Sequence, residues 1–175
     1  MNKFVDNGTL IYEFSDLFLV KCPNCNGMAK VIPLIEPGKD YIKDKLYFSD
    51  RRVICNTCGF NKDKRAPLNK PYYLRIVHFG KDWKDNCINI GGNHDWIFGY
   101  PLYLNLTCKG HILWAYNLRH LEFIESFINE KLRNSSTYYL SLVSRLPKWL
   151  IESKNKDEVL KGIKKLKVKY MSVSQ

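Results

Sequence analysis

An α+β fold is what this sequence predicts: antiparallel strands around two cysteine pairs over residues 1–66, then a small antiparallel β-meander and about three helices over 67–175. Three observations carry it. Two CxxC pairs, Cys22/Cys25 and Cys55/Cys58, each sit inside a strand-turn-strand pattern. Short apolar runs broken by glycine follow between residues 71 and 116. From Leu118 onward the apolar spacing changes to a helical period. At 175 residues the chain has the size of one domain, or of one domain carrying a small metal-stapled module, and one compact body is expected.

The elements follow in order. Residues 10–20 read as a strand entering VKCPNC, and Met28–Leu34 reads as the strand leaving it. The polar stretch EPGKDYIKDK opens with Pro37 and Gly38, which is turn chemistry, and KLYFSDRRVICNTCGF then repeats strand, CxxC, glycine and aromatic exit. After the basic bridge KDKRAPLNKP, YYLRIVHFG reads as a strand and KDWKDNCINIGGNHDW as an irregular loop. YPLYLNLTC and HILWAYN form a hairpin across Lys109 and Gly110. Asn117 caps a helix carrying Leu118, Leu121, Ile124, Phe127, Ile128 and Leu132 on one face, with His120 beside that stripe at a surface or boundary position. Ser135, Ser136 and Thr137 cap a second helix running to Leu146, and Pro147 starts a short further turn, PKWLIES. A last helix, Asp157 to about Tyr170, opens with Asn155 and Glu158 in a capping-box-like arrangement.

The four cysteines make the strongest chemical statement. Two residues between cysteines let a tight knuckle place both sulfurs on one ion, and two knuckles close a four-thiolate shell. The 29 residues between Cys25 and Cys55 exceed the common spacing, so EPGKDYIKDK must loop out while the flanking strands pair. Cys22, Cys25, Cys55 and Cys58 are therefore expected to hold one structural Zn²⁺ in an elaborated zinc ribbon. A closed shell leaves no position for substrate.

The CPNC and CNTCGF knuckles, over about residues 15–65, resemble a group of short bacterial zinc-ribbon proteins sometimes labelled transcription-factor-IIB-type. GHILWAYNLRHLEFIE, SRLPKW and KNKDEVLKGI resemble the C-terminal part of the same group. The resemblance implies no agreed activity and carries over only the four cysteines, as metal ligands.

No apolar run approaches the roughly 18 residues of a membrane helix, because LIYEFSDLFLV is interrupted by Glu13 and Asp16. A cytoplasmic protein with reduced cysteines is expected. The formal charge of +11, near +9 once four thiolates and Zn²⁺ are counted, favours an anionic partner. The residues proposed to meet it are Lys154, Lys156, Lys161, Lys164, Lys165 and Lys167 on the last helix, with Arg51 and Arg52 by the second knuckle. The leading expectation is a non-enzymatic, regulatory or accessory protein that binds nucleic acid through these basic surfaces. The competitor is a protein-interaction module, an immunity, antitoxin or assembly factor docking on an acidic protein.

A third reading is an enzyme using His94, Asp95 and His111, although no P-loop, GxGxxG, HExxH or GxSxG motif is present. Cys87, His94, Cys108 and His111 are candidates for a second metal site, but their spacings are not those of paired knuckles, and hairpin-end roles for Cys108 and His111 weigh more. Trp96, Phe98, Tyr100, Trp114 and Tyr116 can stack bases, against the commoner role of strand aromatics as core.

Overall fold

The computed structural model describes residues 4, 6–65, 73–76, 87–130 and 141–173, with backbone alone for 73–76 and 87–89. The architecture is α+β, and the chain divides into two compact units, Ser15–Tyr103 and the pair of segments Met1–Phe14 and Leu104–Gln175. The cysteine-bearing sheet lies wholly within the first.

That sheet has four antiparallel strands in sequence order: β1 Phe18–Lys21, β2 Met28–Pro33, β3 Arg51–Ile54 and β4 Asn61–Lys64. Its register sets Phe18 opposite Val31, Val31 opposite Val53 and Val53 opposite Lys62, so one row of side chains runs across a single face. The first three are fully buried, while β4 is exposed along its whole length at the edge of the sheet. The opposite edge is covered: Tyr103 donates its N–H to the Leu19 carbonyl and Lys21 to that of Pro101.

Residues 10–20 are not one strand. Glu13 accepts the Leu10 N–H at 2.8 Å and tightens Ile11–Phe14 into a 3₁₀ turn, so extended structure starts only at Phe18. The expected loop after residue 80 also contains a strand: β6 Cys87–Ile90 pairs with β5 Tyr73–Ile76, and the pairing is parallel, so the middle of the chain is not a purely antiparallel meander. The bridge over 66–72 and the segment 77–86 lie outside the described residues.

In the second unit, β7 Asn105–Cys108 and β8 His111–Trp114 form the expected hairpin. Lys109 and Gly110 both have positive φ, +52° and +77°, as a type I′ turn requires. Helix α1, Leu118–Asn129, begins at Asn117, whose side-chain oxygen accepts the His120 N–H at 3.0 Å. The same amide donates to the Phe14 carbonyl at 2.7 Å and ties the N-terminal segment to the helix. Leu121, Ile124, Phe127 and Ile128 are buried as the stripe requires.

His120 is buried too, not at a boundary. Its ring stacks on Phe14 at 5.0 Å, meets Trp114 edge-on, and its Nδ1 accepts the Tyr116 N–H at 3.3 Å. Residues 131–140, with most of the expected second helix, lie outside the described residues; its end, Val143–Arg145, is a 3₁₀ turn. Then come α2 Lys148–Ile151 and α3 Lys156–Met171. Asn155 does not form a capping box. Its backbone is already helical and its side-chain amide donates to the Trp149 carbonyl at 2.8 Å, closing the end of α2 instead. Helix α3 packs on α1 and β7 through Val159, Gly162, Ile163 and Leu166.

Candidate metal centre and basic surfaces

Each knuckle grows from the end of a strand. The Cys22 N–H donates to the Gly27 carbonyl and the Asn26 N–H to the Cys22 carbonyl; in the second, Cys55 donates to Phe60 and Gly59 to Cys55. These four bonds, all 2.8–2.9 Å, occupy equivalent positions. The residue four after the first cysteine takes positive φ in both, Asn26 at +59° and Gly59 at +74°, which turns the chain back and aims both sulfurs of each pair inward.

The register of β2 against β3 then brings the two knuckles together. Cys22 Sγ lies 3.7 Å from Cys58 Sγ and Cys25 Sγ 3.6 Å from Cys55 Sγ, with all four sulfurs within 4.8 Å of one another. A tetrahedral ion with metal–sulfur bonds of about 2.3 Å requires sulfur–sulfur edges of about 3.8 Å. The donor set fits a metal ion, and it is the one such cluster of Cys, His, Asp or Glu among the described residues.

Polar groups around the sulfurs prepare them for charge. The Phe60 N–H and the Asn24 side-chain amide pull the Cys58 thiol down to about 6. At Cys25 the Gly27 N–H also pulls downward, but desolvation and three neighbouring thiols outweigh it and push the group up to about 12. Four sulfurs this close cannot all ionise without a cation among them. Asn24 reaches both knuckles: its backbone N–H lies 3.4 Å from Cys22 Sγ and its side-chain amide 3.6 Å from Cys58 Sγ. This outer contact was not visible in the sequence, since only the folded register brings residue 24 to residue 58.

The other candidates fall in two different units. Asp95 is buried, and its carboxylate accepts the N–H groups of Ile97 at 3.0 Å, Phe98 at 2.6 Å and Tyr100 at 2.7 Å. Burial pushes its pKa up while those three bonds pull it down, and its oxygens serve the loop that contains it. His94 pairs by backbone with Pro101. In the other unit Cys108 is buried against α3, with its Sγ 3.7 Å from the Glu158 carbonyl, and exposed His111 stacks on Trp149 at 4.8 Å. Both have the hairpin-end roles expected of them. The Cys87 side chain lies outside what is described.

The basic residues are more engaged than their positions in sequence suggest. Arg51 is fully buried and reaches no surface: its guanidinium donates to the carbonyls of Ser15 and Tyr47 and to the Tyr41 hydroxyl, with its plane near the rings of Phe18 and Tyr41. Arg52 makes a two-pronged pair with Asp63. On and before α3, Lys154 pairs with Glu152, Lys161 with Glu158 and Lys167 with Glu125, while Lys156 donates to the Asn129 carbonyl. Lys164 and Lys165 are exposed. So are Lys30, Lys62 and Lys64 of the cysteine sheet and Arg65 just after it.

The aromatics divide in the same way. Tyr116 is core, and Trp96 packs edge-on against Phe18 at 4.8 Å. Trp114 leans on Tyr116 at 5.2 Å. Phe98 and Tyr100 stack on each other at the surface. No described helix is long and apolar enough to cross a membrane. Comparison with protein-family models, with characterised proteins and with solved structures gave no match.

Proposed function

We propose that the protein is a zinc ribbon carrying one structural Zn(Cys)₄ centre, and that it works without catalysis as a cytoplasmic nucleic-acid-binding protein in a regulatory or accessory role. The observation that carries the reading is the pair of equivalent knuckles with their four sulfurs within 4.8 Å of one another, outside which lies a surplus of exposed lysine. Four thiolates suit zinc, which has no demand for a fifth ligand, and close its shell. Zinc fixes the strands, and phosphates meet Lys164 and Lys165 of α3, Lys30, Lys62 and Lys64 of the sheet and Arg65 just after it. Arg51 and Arg52 drop out of this role, one buried and one paired, and the paired lysines contribute less than their number implies.

Metal analysis of protein purified under reducing conditions is expected to give one zinc per chain. Anisotropy titrations with duplex and single-stranded DNA and RNA are then expected to show binding that weakens steeply as salt rises. Absence of salt-sensitive binding to all four at micromolar protein overturns the nucleic-acid reading and leaves the acidic-protein partner.

A further inference from the structure

The loop from Asn93 to Leu102 is a closed device. Leu102 donates to the Asn93 carbonyl, Asp95 to that of Tyr100 and Gly99 to that of Asp95. Inside it the buried Asp95 carboxylate takes three backbone N–H groups, two of them those of Phe98 and Tyr100. The two aromatic residues are thus held from the backbone on either side of Gly99, whose φ of +79° makes the bend. Their rings stack at 5.3 Å with an interplanar angle of 16°, and both remain partly exposed.

A loop that served only as a lid over the sheet needs Trp96 and Ile97, which turn inward; Ile97 is 4% exposed and Trp96 covers Phe18. The Phe98–Tyr100 pair is extra. A cation lies over it: the Lys64 ammonium is 5.8 Å from the centre of the Phe98 ring. Lys62 and Lys64 alternate onto one face of β4, the edge strand, and Asp63 between them turns to the other face, where Arg52 holds it. Asp95, the carboxylate beneath, accepts three backbone N–H groups and also feels the Lys64 charge.

We propose that Phe98 and Tyr100, with Lys62 and Lys64, form a stacking platform for single-stranded nucleic acid on the cysteine-bearing unit. Unpaired bases offer planar faces to the rings, and the phosphates that join them fall to the lysines. An acidic peptide would use the lysines and leave the rings idle; a duplex keeps its bases stacked inside and offers only its backbone. The inference rests on the nucleic-acid reading and adds which form of the polymer this surface selects.

The test uses the full zinc-loaded chain and fluorescent oligonucleotides of about 15 nucleotides, a length that spans one such site: oligo-dT, oligo-U and a mixed duplex at fixed salt. The wild type is expected to bind the single strands about tenfold more tightly than the duplex. Phe98→Ala/Tyr100→Ala is expected to lose about tenfold on single strands with duplex binding little changed, and Tyr100→Phe to retain wild-type binding. Lys62→Ala/Lys64→Ala should weaken both and flatten the salt dependence. Unchanged zinc content shows that each variant keeps its knuckles. Equal affinity for single strands and duplex, unmoved by the aromatic double variant, overturns the platform and leaves lysine-borne binding standing. Absence of binding to every oligonucleotide overturns both.

Discussion

His120 shows how one side chain sets a pH dependence. It sits fully buried among Phe14, Trp114 and Tyr116, and desolvation holds its pKa down to about 3. In the unfolded chain it titrates near the ordinary 6.5. Between those values the unfolded state takes up a proton that the native state refuses, so stability is fully present above about pH 6.5 and falls on acidification toward 3. The limiting slope is about 1.4 kcal/mol per pH unit. Urea unfolding followed by helical circular dichroism, which reports the unit bearing α1 and α3, should lose about 2 kcal/mol from pH 7 to pH 5 in the wild type. His120→Phe should be weaker at pH 7, because the Tyr116 N–H loses its acceptor, but should remove most of that slope; an identical slope in both proteins would refute the assignment. Periodicity could not reveal this burial. His120 lies beside the apolar stripe of α1, and its burial comes from Phe14, far away in sequence, together with the side-chain bond from Asn117 that holds the N-terminal segment in place. Arg51 escaped the sequence reading for the same reason: arginine beside a knuckle reads as surface until Ser15, Tyr41 and Tyr47 are folded around it.

Individual elements were legible where the signal is local. The knuckles, the Lys109–Gly110 turn and the Asn117 cap each depend on residues within a few positions of one another, so spacing alone carries them. The 3₁₀ turn at Ile11–Phe14 and the strand Cys87–Ile90 were not read, because in each a short apolar run fits two periods and the decision falls to a backbone partner elsewhere or to the Glu13 side chain. Gly162 tests the packing of the best-read element. It lies in the middle of α3, where alanine would ordinarily gain about 1 kcal/mol of helix propensity. A Cβ there would stand 3.0 Å from Leu113 Cδ2 and 3.5 Å from Leu106 Cδ1. Leu113 is fully buried and has little room to yield. Overpacking of this kind costs about 1–3 kcal/mol, so Gly162→Ala should destabilise by up to about 2 kcal/mol rather than stabilise. A thermal midpoint raised by the substitution would show that α3 and the β7–β8 hairpin are packed more loosely than the distances require.

For the molecule as a whole, both units close an apolar core, and among the described residues the sheet unit also carries a cluster that can hold a metal ion. The unit with α1 and α3 closes a core of its own from Leu104, Leu113, Leu121, Ile128, Ile163 and Leu166, all at most 2% exposed, and no metal-binding cluster occurs among its described residues. The sheet unit holds a sheet of four short strands with β4 at its edge, and the separate β5–β6 pair. Among the described residues its two hairpins pair through β2 and β3, and at their knuckle ends the sulfurs converge. A bound ion there joins what the chain separates by 29 residues, and a structural zinc site can supply on the order of 10 kcal/mol to folding. Ordering the 17-residue connection from Leu34 to Asp50 works against the sheet in the absence of that bond. Removing the metal with a chelator should therefore split unfolding into two events. Tryptophan fluorescence is expected to change in part early, as Trp96 loses its environment with release of one zinc per chain, and in part with Trp114 and Trp149 at a second, chelator-insensitive transition to which the helical signal persists. Cys25→Ser should reproduce the chelator's effect without any chelator present, since a hydroxyl does not replace the thiolate in the shell. A single transition with the same midpoint in the presence and absence of chelator would mean that Phe18, Val31 and Val53 hold the sheet unaided. The four sulfurs would then be neighbours without being a scaffold.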